Sequence, residues 1–188
     1  WGQPKATEAV LREYSGYLKG KDPFTIDYHW QYFYRSSSFR GASICAALSA
    51  VDLALWDILV KYYGAPVHTP LGGKHRRKIR MCARCMDNHH DAVLQQIIKA
   101  VKEGHTSVKI DPFPEDYSKW SYSRLVEEVV KRVSEARSAA GKDVDLVVEV
   151  HRKLGPGEAV GLARKLEPFN LLFIEDPIPP DSIQSMAE

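Results

Sequence analysis

Asp145-Leu146-Val147-Val148-Glu149-Val150-His151 and Leu171-Leu172-Phe173-Ile174-Glu175-Asp176 are short apolar runs that each end on ionisable residues. Such runs, apolar and poorly alternating, are the pattern of strands covered on both faces. Between them, Pro156–Leu166 reads as a helix, with proline in its first turn and Pro168 beyond its end. The same unit recurs toward the N-terminus. Lys78–Cys85 reads as a strand, Asp91–Glu103 as a helix stopped by Gly104, Ser107–Asp111 as a strand, and Ser123–Ala140 as a helix stopped by Gly141. A further helix is expected to begin at Asp181, with Gln184 as its capping-box partner. Strand and helix alternating in this way give parallel βα units.

Residues before 78 read differently. Thr7–Leu18 carries Val10, Leu11, Tyr14 and Leu18 at helical spacing, and a short helix around Asp27–Tyr34 follows the break at Asp22-Pro23. The strongest helical pattern is Ser43–Tyr63, with Ala47, Leu48, Val51, Leu55, Ile58, Leu59 and Tyr62 as its apolar stripe and Gly64 as its cap. The loop between the second and third helices holds Arg35, Phe39 and Arg40.

Four βα units fit either a doubly wound sheet or part of a barrel. A dinucleotide-binding sheet needs a glycine fingerprint after its first strand, and Met86-Asp87-Asn88-His89-His90 has none. Gly72-Gly73-Lys74 is too short to be a phosphate loop. The barrel is therefore the expected architecture. Four strands do not close one, and a half barrel leaves an open parallel edge, so the chain is expected to be a piece of a longer protein. The opening Trp1, in place of Met, points the same way.

Composition narrows the partners. A formal net charge of +2 is too small to argue for nucleic acid or an anionic membrane, and the run Lys74-His75-Arg76-Arg77-Lys78 reads as a solvated loop. No apolar run is read as approaching the ~20 residues of a membrane span. Three cysteines, an odd number, point to a reduced compartment, with the cytoplasm as the default. Cys82 and Cys85, three apart on a strand, face opposite sides and read as barrel wall, not as a zinc pair.

In a (β/α) barrel, chemistry sits at the C-terminal strand ends. Here those ends carry Lys109 and Asp111, then Glu149 and His151, then Glu175 and Asp176. Carboxylates converging from adjacent strands without thiols suit a hard cation, Mg2+ before Mn2+. At strand period two, Glu149 and His151 are expected on the same side, one above the other.

Ser49-Ala50-Val51-Asp52-Leu53-Ala54-Leu55-Trp56-Asp57-Ile58, then Gly64-Ala65-Pro66-Val67 and Leu71-Gly72-Gly73, resembles the segment that joins capping domain to barrel in mandelate racemase-type members of the enolase superfamily. Phe173-Ile174-Glu175-Asp176-Pro177 is similar to that family's fourth-strand segment. The resemblance implies an α/β fold: a partial TIM-like (β/α)7β barrel over residues 71–188, preceded at 1–70 by the helical part of an α+β capping domain. It implies Glu149 and Glu175 as metal ligands and His151 as the general acid of the branch that dehydrates sugar acids such as galactonate, gluconate or mannonate. It implies Lys109 as the first lysine of a Lys-x-Lys pair whose second position here is Asp111, which speaks against a racemase or epimerase. Asp111, Arg35 and His89 are then expected to contact substrate. The implied reaction removes the proton α to an aldonate carboxylate, stabilises the enediolate with metal, and expels the β-hydroxyl to give a 2-keto-3-deoxy acid; the handling of the proton follows general acid–base logic. The third metal ligand and the base are implied to lie after Glu188. A non-catalytic relative is the alternative from another class. The expected partner is the small sugar acid, in a homo-oligomer.

Overall fold

The computed structural model describes residues 3–187. Two compact units divide between Arg77 and Lys78, a few residues past the expected boundary at 70.

The first unit is three helices: α1 (Pro4–Leu18), α2 (Ile26–Ser36) and α3 (Ala42–Tyr63). Tyr14, Ile26, Phe33, Ala47, Leu48, Val51 and Leu55 form its core, with the rings of Tyr14 and Phe33 stacked at 3.9 Å. His29 is buried there, and its ring nitrogens meet the Asp22 carbonyl at 2.8 Å, Thr25 Oγ1 at 3.1 Å and the Tyr17 hydroxyl at 3.3 Å. A buried imidazole needs such partners. Gly64 ends α3 at φ 62°, a left-handed cap that lets the next amide return to Val60 O.

Two expectations for α3 are corrected. Ile58 and Tyr62 are exposed, because the stripe that meets α1 and α2 runs through 47, 48, 51 and 55. Secondly, Ala42–Tyr63 is, by length and composition, apolar enough to cross a membrane. Asp52, Asp57 and Lys61 interrupt the apolar run, but within 22 residues they are too few to offset the aliphatic residues.

The second unit contains a parallel sheet in the order β1-β2-β3-β4, each strand beside its successor in sequence. The strands are Ala83–Cys85, Ser107–Ile110, Asp145–Glu149 and Phe173–Glu175. Helices α4 (His90–Lys102), α5 (Tyr122–Ala140) and α6 (Pro156–Leu166) connect them, and α7 (Ile183–Ala187) follows. Ile97, Val129, Val133 and Leu166 from the helices pack with Ile110, Leu146 and Val148 from the strands in one core, each essentially without solvent contact. These strand residues alternate with Lys109, Val147 and Glu149, so the second set faces away from that core. The register aligns Arg84, Lys109, Val147 and Phe173 as one cross-strand row.

The strands are shorter than expected, β1 and β4 at their N-terminal ends and β2 and β3 at their C-terminal ends. Residues 78–82 leave the ladder, and Arg80 instead donates to Thr106 O at 2.6 Å and pairs with Asp145 at 2.7 Å. The last helix is capped by Ser182, whose hydroxyl accepts from Ser185 N at 3.2 Å, in place of the expected Asp181 and Gln184 pair.

Gly161 explains itself through one neighbour. A Cβ there would collide with the Tyr122 hydroxyl, which donates to Glu158 O at 2.8 Å. Gly161→Ala is therefore expected to destabilise by about 1 kcal/mol, since displacing Tyr122 loses that hydrogen bond. In a Tyr122→Phe background the obstacle is gone, and the same change should stabilise by ~0.5–1 kcal/mol through helix propensity. Urea denaturation of the four-member cycle reads the sign change; the same sign in both backgrounds would contradict the packing argument.

Candidate active site at the strand ends

Strands β2, β3 and β4 bring three charged side chains to one point. Lys109 Nζ donates to Glu175 Oε2 at 2.9 Å and Oε1 at 3.0 Å, and to Glu149 Oε2 at 3.3 Å. Lys109 lies two register rows below the paired Glu149 and Glu175, on the same face, so its long side chain reaches up and across two strands to meet them. Glu149 is buried and Glu175 half-buried. Two carboxylates at the edge of an apolar core are costly without a counter-charge, and the lysine provides it. The hydrogen bond to Glu175 raises the lysine pKa above its ordinary value, with Glu149 adding to it and burial opposing.

The two glutamates, expected as ligands of one metal ion, here converge on the lysine ammonium. Carboxylate oxygens converging from adjacent strands fit a hard divalent cation. Among the described residues, no group of three or more His, Cys, Asp or Glu side chains is placed to hold a metal.

His151 departs from expectation. Strand β3 ends at Glu149, and His151 and Arg152 adopt φ of 61° and 60°. Strand alternation therefore does not carry through to His151, and it cannot set that side chain directly above Glu149. The turn is tied down from three sides. His151 N donates back to Glu149 Oε1 at 3.1 Å, Val150 N to Glu175 O at 3.0 Å, and Arg152 N to Asp176 O at 2.6 Å. The Arg152 guanidinium also meets the Asp176 carboxylate at 2.5 Å, and Asp176 is itself left-handed at φ 47°. Non-glycine residues hold such backbone only where surroundings over-determine it.

The remaining expected contacts are placed variously. Asp111 accepts from Lys153 Nζ at 2.5 Å and from Phe113 N at 3.1 Å. His89 is exposed at the start of α4, where its N–H donates to Asp87 at 3.0 Å. His90 turns to the helical layer and meets Glu135 at 2.8 Å. Arg35 is in the helical unit, exposed in the last turn of α2. Cys85 is buried in the core and burial raises its thiol pKa; Cys82 is exposed, with Ser107 Oγ donating to its sulfur at 3.3 Å.

Sequence reasoning missed Lys153, Arg152 and Arg84. Lys153 and Arg152 follow His151 directly, and their partners are 42 and 24 positions away. Arg84 becomes visible only through the register that sets it opposite Lys109.

Comparison with known proteins agrees with this architecture. Residues 92–188 match the family described as enolase C-terminal domain-like, and residues 2–72 match the mandelate racemase / muconate lactonizing enzyme N-terminal domain. A D-galactonate dehydratase of Xanthomonas euvesicatoria pv. vesicatoria is 35% identical over 185 residues, 95% of this chain and 48% of that protein. The chain thus spans about half the length of the curated relatives it matches. Among solved structures, a member of the enolase superfamily from Salmonella Typhimurium superposes with TM-score 0.89 at 25% identity, over 99% of this chain and 54% of that one. The 3,6-anhydro-D-galactonate cycloisomerase from Zobellia galactanivorans gives TM-score 0.88 at 26% identity, over 100% of this chain and 51% of its own. With its helical unit matching one domain of that family and its parallel βα units the other, the chain belongs to the enolase superfamily, in its mandelate racemase / muconate lactonizing enzyme group.

Proposed function

We propose that this chain carries the first half of an active site that dehydrates a sugar acid to a 2-keto-3-deoxy acid. The observation that carries the reading is the convergence of Glu149 and Glu175, from adjacent strand ends, on one cationic point, with His151 on the turn that follows Glu149. The relatives named as dehydratases support it.

In this reading Glu149 and Glu175 hold Mg2+, or Mn2+ in its place. Bound there, a divalent cation supplies positive charge beside the substrate carboxylate, where negative charge develops as the α-proton leaves. Lys109, whose ammonium the metal would displace from between the glutamates, keeps its positive charge beside the same site. The α-proton passes to the base that the family resemblance places after Glu188. His151 gives its proton to the departing β-hydroxyl, the C–O bond breaks, and water leaves. The enol then tautomerises to the keto acid. Asp111, held by Lys153, together with Arg35 and His89, remains the proposed set of substrate contacts.

The test uses the intact protein with Mg2+ and a stereochemical panel of six-carbon aldonates, read by formation of a 2-keto-3-deoxy acid. Keto acid from at least one stereochemical series is expected. An α-epimerised acid without keto acid would reassign the chemistry to racemisation, and no product from any aldonate with metal saturating would reject dehydration.

A further inference from the structure

Beside the glutamate cluster, the ends of β1, β2 and β3 enclose a second groove of about 380 Å3, the size of a small-ligand cleft. Its lining combines acceptors and donors: Asp87, Asn88 and Asp111 with Arg84 and Lys153. Phe113 and Tyr117 supply apolar sides, and Lys153 Nζ stands 4.8 Å and 5.8 Å from their ring centres. Lys153 is engaged by Asp111 at 2.5 Å, and Asp87 accepts from His89 N at 3.0 Å. Arg84 is different. It is exposed, and no described residue pairs with its guanidinium by hydrogen bond or ion pair. It also lines the adjoining groove that contains Lys109 and Glu175, so one free donor fork connects the two spaces.

The charge of this groove limits what enters it. Asp87, Asp111 and Glu115 set three carboxylates against two cations, Arg84 and Lys153. A second carboxylate would be repelled, whereas hydroxyls, which donate and accept, match walls of mixed character. We propose that this groove holds the hydroxyl-bearing tail of the sugar acid, with Arg84 donating to the tail, and that it selects monocarboxylic over dicarboxylic chains. The choice of ligand rests on the dehydration reading; the binding test below does not require turnover.

Titration calorimetry of the intact protein in Mg2+ buffer measures Kd for six-carbon aldonates, for the dicarboxylic counterpart of the tightest one, and for D-glycerate, which lacks a tail. Arg84→Met is expected to weaken the aldonate about tenfold or more and to leave glycerate unchanged, the loss due to one charged hydrogen-bond donor. Asp87→Asn keeps an acceptor for His89 N–H and should narrow the preference for monoacid over diacid by about threefold, the effect of one exposed charge. If Arg84→Met does not fold, Asn88→Ala tests the same tail dependence. Equal losses for aldonate and glycerate, no loss for either, or no measurable binding of any six-carbon aldonate would overturn the proposal. Tail-dependent binding without keto-acid formation would uphold the groove and reject dehydration.

Discussion

Glu149→Gln is expected to stop α-proton exchange with solvent deuterium and dehydration together, each by at least ~10³-fold. Charge stabilisation by a bound divalent ion is worth several kcal/mol of barrier, and each 1.36 kcal/mol is tenfold in rate. Glutamine keeps the side chain's shape, and its carbonyl can still accept the His151 N–H that Glu149 Oε1 now accepts. Lys109 keeps its two hydrogen bonds to Glu175. The fold should therefore survive, as circular dichroism can verify, while Mn2+ binding followed by electron paramagnetic resonance weakens sharply. Exchange at the wild-type rate in this variant would remove Glu149 from the proposed metal site.

His151→Asn should separate what Glu149→Gln abolishes jointly. Dehydration is expected to fall ~10²–10⁴-fold, the range for losing one general acid, while α-proton exchange and Mn2+ binding continue. The choice of asparagine follows from the backbone. His151 sits at φ 61°, and asparagine tolerates that region far better than alanine, so the variant tests the imidazole and not the turn. Dehydration unchanged in His151→Asn would make this residue structural. Loss of exchange together with dehydration would place it in the proton-abstraction step or in substrate orientation.

Much of this arrangement was legible in the sequence, and the misses share a cause. Apolar spacing and the stops at Gly64, Gly104 and Gly141 mark the helices, and the bounds that the sequence suggests for α6, Pro156–Leu166, are those it has. The strands' apolar centres, such as Leu146, Val147 and Val148, were equally plain. Their ends were not. Residues 78–82 look strand-like, but whether they join the ladder depends on Arg80 finding Thr106 and Asp145, far off in sequence. Alternation extends on paper to His151 because neither glycine nor asparagine marks the turn; the left-handed backbone there is imposed by hydrogen bonds that Val150 N and Arg152 N donate to the carbonyls of Glu175 and Asp176, at the end of β4. Glu149 and Glu175 could be found because each closes its own apolar run. Lys153 and Arg84 could not, since their meaning comes from Asp111 and Lys109 on neighbouring strands.

The ammonium of Lys109 between two carboxylates gives this site a tethered counter-ion of its own. Under the proposed chemistry, metallation is then an ion exchange, not the filling of a vacant cage. A free monovalent ion brings no more charge than the resident ammonium and must displace a group that costs little entropy to return. A divalent ion brings twice the charge and can win the contest. Selection for double charge would thus be written into the second strand, whose lysine balances the two carboxylates whenever no other cation is bound.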